Sequence, residues 1–177
     1  AKYYVSGLKI DEAIERIKKD NLFQYPTERQ VSRLARACYK RLDALGNEQL
    51  VHELASAPND IAKQINLYAV MRYNRLVWEF MIQVIGEKYR NQGMNFSRKD
   101  MNAFFSRLQA QDDSVAAWSD ATITKIKSVL VRMLIETGYL DGLKDTTLNP
   151  VFLCEELERG IEANNDYDAL SAFNYFR

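Results

Sequence analysis

The 177-residue chain has one histidine, two cysteines, three prolines, seven glycines and no net charge at pH 7. Each scarcity closes off a class of chemistry. A lone His52 excludes paired-histidine metal sites and leaves a single imidazole for any catalytic triad. Cys38 and Cys154 lie far apart in no C-x-x-C pair, which argues against a zinc ribbon, a redox motif or a disulfide framework. Both read as reduced packing residues. No glycine-rich phosphate loop and no nucleophile elbow is present. No run approaches the length of a membrane span: Glu79 and Gln83 interrupt 76–85, and Arg132 interrupts 129–135. The first residues also lack a signal peptide's apolar run. The simplest reading is a soluble cytoplasmic protein with no membrane contact, in which nothing forces a cofactor or a metal and no small-molecule substrate is expected.

What is present is the composition of an ordinary globular domain, 47% hydrophobic, 27% charged and 11% aromatic. A single domain over 1–177 is the expectation, with helical subregions at about 7–57 and 58–177. Periodicity is helical almost throughout, so the fold class is all-α, a compact multi-helix bundle. Ile10, Ile14 and Ile17 mark a first helix. Thr27 and Gln30 have capping-box spacing at the start of a second, which Gly46 stops and Asn47 follows as the next cap. From Asn59 to about Asn91 the pattern gives one long helix, or two joined near Tyr73-Asn74. Ser97 with Asp100, then Ser119 or Asp120, open two more, the latter ending at Gly138. In 139–152, Asp141-Gly142 and Asn149-Pro150 punctuate short apolar pairs, the pattern of a small hairpin. A last helix covers about 153–164, and the 167–177 tail is aromatic enough to dock.

The zero net charge hides segregation. Residues 141–177 carry eight acids against Lys144, Arg159 and Arg177, leaving +5 on the first 140 residues. Within 27–41, Arg29, Arg33, Arg36, Lys40 and Arg41 oppose only Glu28. At 100° per residue, Arg29, Arg33, Arg36 and Lys40 fall within about 60° of one another. Val31, Leu34, Ala35, Cys38 and Leu42 gather on the opposite side. This basic ridge is roughly 16 Å long at 1.5 Å per residue, a fit to a major groove about 12 Å wide. A charge run is usually a solvated face, but such a face normally alternates sign at i, i+4, and this one does not. A short helix and turn before the ridge outline a helix-turn-helix, although 21–26 is longer than the usual connection. A weaker set, Lys125 and Arg132 with Ser128, shares a face after Trp118, while Lys127 lies on another side. The acidic helix with Glu155, Glu156, Glu158 and Glu162 reads as solvated. Tyr68, Tyr73, Trp78, Phe80, Phe104 and Phe105 read as core rather than as a stacking platform.

Several stretches together resemble one family. Leu22-Phe23-Gln24-Tyr25 before Glu28-Arg29, Ile65-Asn66-Leu67-Tyr68-Ala69, Arg75-Leu76 through Glu79-Phe80-Met81, and Trp118-Ser119 with Thr122 and Lys125 are similar to the BrxA proteins of the BREX bacteriophage-exclusion systems of bacteria. The similarity runs from about Gly7 to Phe152 and includes no catalytic signature. It implies an all-α fold related to the antitermination factor NusB, DNA binding, and no enzymatic activity. Such proteins usually carry a further helix between a Tyr-Ser type start and the next Gly-Leu, whereas here Tyr4-Val5-Ser6 meets Gly7-Leu8 directly. The resemblance assigns no residue-level site.

The function expected is therefore a non-catalytic double-stranded DNA-binding accessory protein of phage defence, with other BREX components as partners. Arg29, Arg33, Arg36 and Lys40 would meet phosphates or groove edges, flanked by Lys125 and Arg132. The alternatives are a protein-interaction adaptor within the defence complex and an RNA-binding protein on a NusB-like fold.

Overall fold

The computed structural model describes residues 1–176. Helix dominates, and no strand forms among the described residues. The chain divides into two compact units, Ala1–Asn74 with Cys154–Asn165, and Arg75–Leu153 with Asp166–Arg177. The chain first passes from one unit to the other at Asn74-Arg75.

The first unit holds α1 (Lys2–Val5), α2 (Ile10–Lys19), α3 (Glu28–Leu45), α4 (Glu48–Ser56), α5 (Asn59–Tyr73) and α11 (Glu155–Ala163). Local chemistry sets the ends of α3. The Thr27 hydroxyl accepts from the Gln30 amide at 3.4 Å, and Gly46 closes the helix in the left-handed conformation at φ 61°. Ile14 and Ile17 of α2 pack on Val31 and Ala35 of α3, flanked by half-buried Tyr3, Ile10 and Phe23. Farther along, α3 packs on α5. Its last carbonyls find distant partners: Arg72 Nε donates to Ala44 O at 2.6 Å, and Asn164 Nδ2 to Leu45 O at 2.8 Å. These bonds satisfy acceptors that a helix C-terminus leaves open. Returning helix α11 seats Gly160 against Leu50 of α4 so closely that a Cβ there would overlap the leucine side chain.

The second unit holds α6 (Arg75–Phe80), a π-helical turn (Met81–Gly86), α7 (Glu87–Arg90), α8 (Arg98–Gln111), α9 (Asp113–Ala116), α10 (Asp120–Glu136) and a 3-10 helix (Tyr167–Phe173). Phe80 and Phe104 meet edge-on with centroids 5.5 Å apart, as do Phe104 and Phe105. The π turn packs on the 3-10 helix, where Gly86 lies so near Ser171 that a Cβ would come within 2.6 Å of its Oγ. The aromatic tail docks as expected: Ala169 to Phe173 are buried, and Tyr139 donates to Ala172 O at 2.9 Å.

The hairpin expected over 139–152 does not form. Its backbone pairs instead with 94–96, through an antiparallel bridge between Asn95 and Thr147 and bonds from Phe96 N to Thr146 O at 2.7 Å and Leu148 N to Met94 O at 2.8 Å. The Asn149 side chain folds the segment onto itself by donating to Asp141 Oδ1 at 2.8 Å, which replaces a ladder with a turn.

Candidate nucleic-acid interface

Helix α3 carries the ridge as its periodicity implies. Val31, Ala35, Leu42 and Leu45 are buried, while Arg29, Arg33, Arg36 and Lys40 are exposed. Burial of the apolar stripe fixes the helix's rotation and so turns the cations outward. Arg36 has a partner: its guanidinium donates to Asp11 Oδ1 of α2 at 2.7 Å. Arg29, Arg33 and Lys40 pair with no acid among the described residues. The one acid of the first turn, Glu28, lies 3.4 Å from Lys18. The ridge therefore has three cations free to meet an anion and one held by a carboxylate. An exposed pair such as Arg36–Asp11 contributes only about 0.2–1 kcal/mol, so a phosphate can compete for it.

Other residues of this helix depart from the expected pattern. Cys38 is exposed rather than packed, because Ile14 and Ile17 of α2 cover Val31 and Ala35 but not the next turn. Cys154 is half-buried, and burial raises its thiol pKa. Tyr39 donates to Leu8 O at 3.3 Å, and Tyr4 donates to Asp43 Oδ1 at 2.6 Å. The bond to Asp43 and partial burial push the Tyr4 phenol up to about 12. The connection from α2 to α3 spans 20–27, with Asn21 and Gln24 at positive φ and Leu22 and Tyr25 exposed. Tyr73, expected in the core, is 46% exposed because it ends α5. His52 is exposed on α4.

Lys125 and Arg132 sit on α10 in the second unit, exposed and without an acid partner among the described residues. Ile123, Leu130 and Leu134 form the buried face behind them. Lys127 faces α8, where its ammonium donates to Asn102 Oδ1 at 2.7 Å and sits 5.2 Å from the Phe105 ring centre. An open groove of about 820 Å³ runs between α8, α10 and the 140–146 segment, with Arg98, Arg132 and Lys144 on its rim. Sequence spacing gave no sign of this groove, since its walls come from three separated segments. No group of three or more His, Cys, Asp or Glu side chains suited to a metal ion forms among the described residues. No helix among them is long and apolar enough to cross a membrane.

The family model of BrxA matches residues 1–165. The chain belongs to the BrxA family. A protein of Bacillus cereus (strain H3081.97) named BREX protein BrxA is 36% identical over 138 residues, covering 78% of this chain and 68% of the relative. A protein of the same name from Paramagnetospirillum magneticum (strain ATCC 700264 / AMB-1) is 22% identical, covering 92% and 81%. Another from Escherichia coli O9:H4 (strain HS) is 24% identical, covering 89% and 73%. Among solved structures, the crystal structure of an uncharacterized protein from Magnetospirillum magneticum is similar with a TM-score of 0.81 at 21% identity, over 97% of this chain and 87% of that one. That likeness bears on the fold, which this BrxA chain shares.

Proposed function

We propose that this chain is a non-catalytic, double-stranded DNA-binding accessory component of a BREX phage-defence system, working in the cytoplasm beside other BREX proteins. The observation that supports it most is the α3 ridge: Arg29, Arg33 and Lys40 exposed on one face and free of acids, behind which the helix is anchored by buried Val31, Ala35, Leu42 and Leu45. Free arginines on a rigid helix supply phosphate contacts with little reorganisation, whereas Arg36, partly committed to Asp11, adds a weaker contact. Lys125 and Arg132 of α10 are a second contact set, weaker because they are fewer. The family name and the BREX proteins it matches supply the phage-defence setting.

Phosphate contacts position a protein without reading bases, so sequence preference is slight. The test is fluorescence anisotropy on a short labelled duplex, in competition with unlabelled single-stranded RNA of the same sequence. Arg29→Glu combined with Arg33→Glu weakens duplex binding by at least about 100-fold at low salt, since two contacts become two repulsions. Unchanged affinity of that double variant removes the ridge from the interface, and preferential competition by the RNA assigns the surface to RNA.

A further inference from the structure

The groove in the second unit combines features that duplex DNA cannot use. Its floor is apolar: Met101 of α8 and Leu140 lie buried beneath it, and the apolar surface it presents comes from half-buried Val131 of α10 and exposed Leu143. Leu143 is 73% exposed at its mouth, so the groove offers accessible apolar surface there. Around the edge stand Arg98, Arg132 and Lys144, with Lys127 deeper in, against a single lining acid, Asp145. Arg98, Arg132 and Lys144 have no acid partner among the described residues.

Ser97, Asn102 and Ser128, three of the polar side chains that line it, are already engaged. Ser97 Oγ donates to Asp100 Oδ2 at 2.9 Å, Asn102 Oδ1 accepts from Lys127 at 2.7 Å, and Ser128 Oγ donates to Thr124 O at 2.9 Å. A small polar ligand needs convergent, unengaged donors and acceptors, and this groove offers it few. A stacked duplex presents phosphates to the rim but nothing apolar to the floor. Only a ligand that is apolar on one side and anionic on its flanks meets both requirements.

We propose that this groove docks an acidic amphipathic helix of a partner protein, with apolar anchors at i, i+3, i+4 and i+7 against Met101, Val131 and Leu143, and flanking carboxylates on Arg98, Arg132 and Lys144. Charge complementarity selects the occupant: three unpaired rim cations suit a helix whose edges are Glu or Asp and repel a basic one. The groove gives the second unit a protein-docking surface that shares Arg132 with the second DNA contact set and uses none of the α3 ridge.

The probe is a synthetic fluorescein-labelled helical peptide with Leu at i, i+3, i+4 and i+7 and Glu at the flanking positions, titrated with the full chain and read by anisotropy. Saturable binding is expected, weakened at least about tenfold by Leu143→Asp combined with Lys144→Glu, and equally by changing the four leucines of the probe to serine. Arg29→Glu with Arg33→Glu binds the probe as the parent does, so loss of the DNA reading and loss of this one are told apart. A groove variant that binds the probe unchanged, a probe indifferent to its leucines, or no saturation with correctly folded protein overturns the proposal. So does displacement of the probe by oligothymidylate at stoichiometric concentration, which assigns the groove to single-stranded nucleic acid. A circular-dichroism melt of the groove variant confirms that its fold is intact, and Arg98→Glu, a solvent-exposed change, repeats the test if it is not.

Discussion

Helices α3 and α10 both carry cations opposite a buried apolar face, and they deploy those cations in opposite ways. On α3, Arg29, Arg33 and Arg36 point away from a single buried stripe and only Arg36 of these is captured, by Asp11, while Arg41 is half-buried with its Nε enclosed. On α10 the lysines divide: Lys125 is exposed, while Lys127 is drawn toward α8 by Asn102 and the Phe105 ring. The cations thus form a continuous ridge in one case and a scaffold contact plus a groove rim in the other. Availability of charge, set by what packs alongside, separates a binding face from a structural one.

The largest effect that sharpens this contrast is on duplex affinity. Reversal of Arg29 and Arg33 costs about 2.7 kcal/mol or more, the 100-fold loss given above, whereas Lys125→Glu with Arg132→Glu costs about three- to tenfold in the same anisotropy assay. Equal losses would erase the distinction between the helices. Next, Lys127→Ala lowers stability by about 1–2 kcal/mol in urea unfolding, because it removes a charged hydrogen bond and a cation–π contact, and leaves duplex affinity within about twofold. A DNA defect without a stability loss would place Lys127 in the interface instead.

How much of this was legible in the sequence follows from the range of the interactions. Thr27 with Gln30, Gly46, Asn47, and Ser97 with Asp100 are cap chemistry within three residues, so the starts and stops of α3, α4 and α8 could be read directly. The break at Asn74, where the chain becomes extended, matches one of the two readings of 59–91, two helices joined near Tyr73-Asn74. The ridge itself is a matter of periodicity. What spacing could not carry were contacts between distant residues. Arg36 reaches Asp11 across 25 residues, and Asn164 reaches Leu45 across 119. The short α1, the π-helical turn around the Gly86–Ser171 contact, and the exposure of Cys38 likewise depend on neighbours brought in from elsewhere. The hairpin failed for the same reason, since the partner of 146–148 lies at 94–96.

Smaller effects probe the same contrast. Arg36→Ala removes an exposed ion pair and lowers stability by about 0.2–1 kcal/mol, with a duplex affinity loss of no more than about threefold, because the arginine is partly committed to Asp11. A loss as large as that of Arg33→Ala would mean that the pair opens freely. The smallest effect is the acid limb of the second unit. Burial opposes the Asp100 charge, but bonds from Lys88 and Ser97 outweigh it and hold its pKa below the ordinary carboxylate value. A lowered folded pKa gives stability that is present above the unfolded value near 4 and lost as pH falls through the folded one. Lys88→Ala should therefore flatten the pH dependence of unfolding below about pH 4, and an unaltered acid limb would assign it to other carboxylates.

The central claim, that a ridge with three free cations engages duplex phosphates, is tested most directly by the salt dependence of duplex binding. With Arg29, Arg33 and Lys40 of α3 and Lys125 and Arg132 of α10 neutralising about five phosphates, log K falls against log salt with a slope of about −4 to −5, which becomes shallower by about 2 or more when Arg29 and Arg33 are both changed to Glu. A slope that is as steep in the double variant as in the parent, or near zero in both, would contradict it.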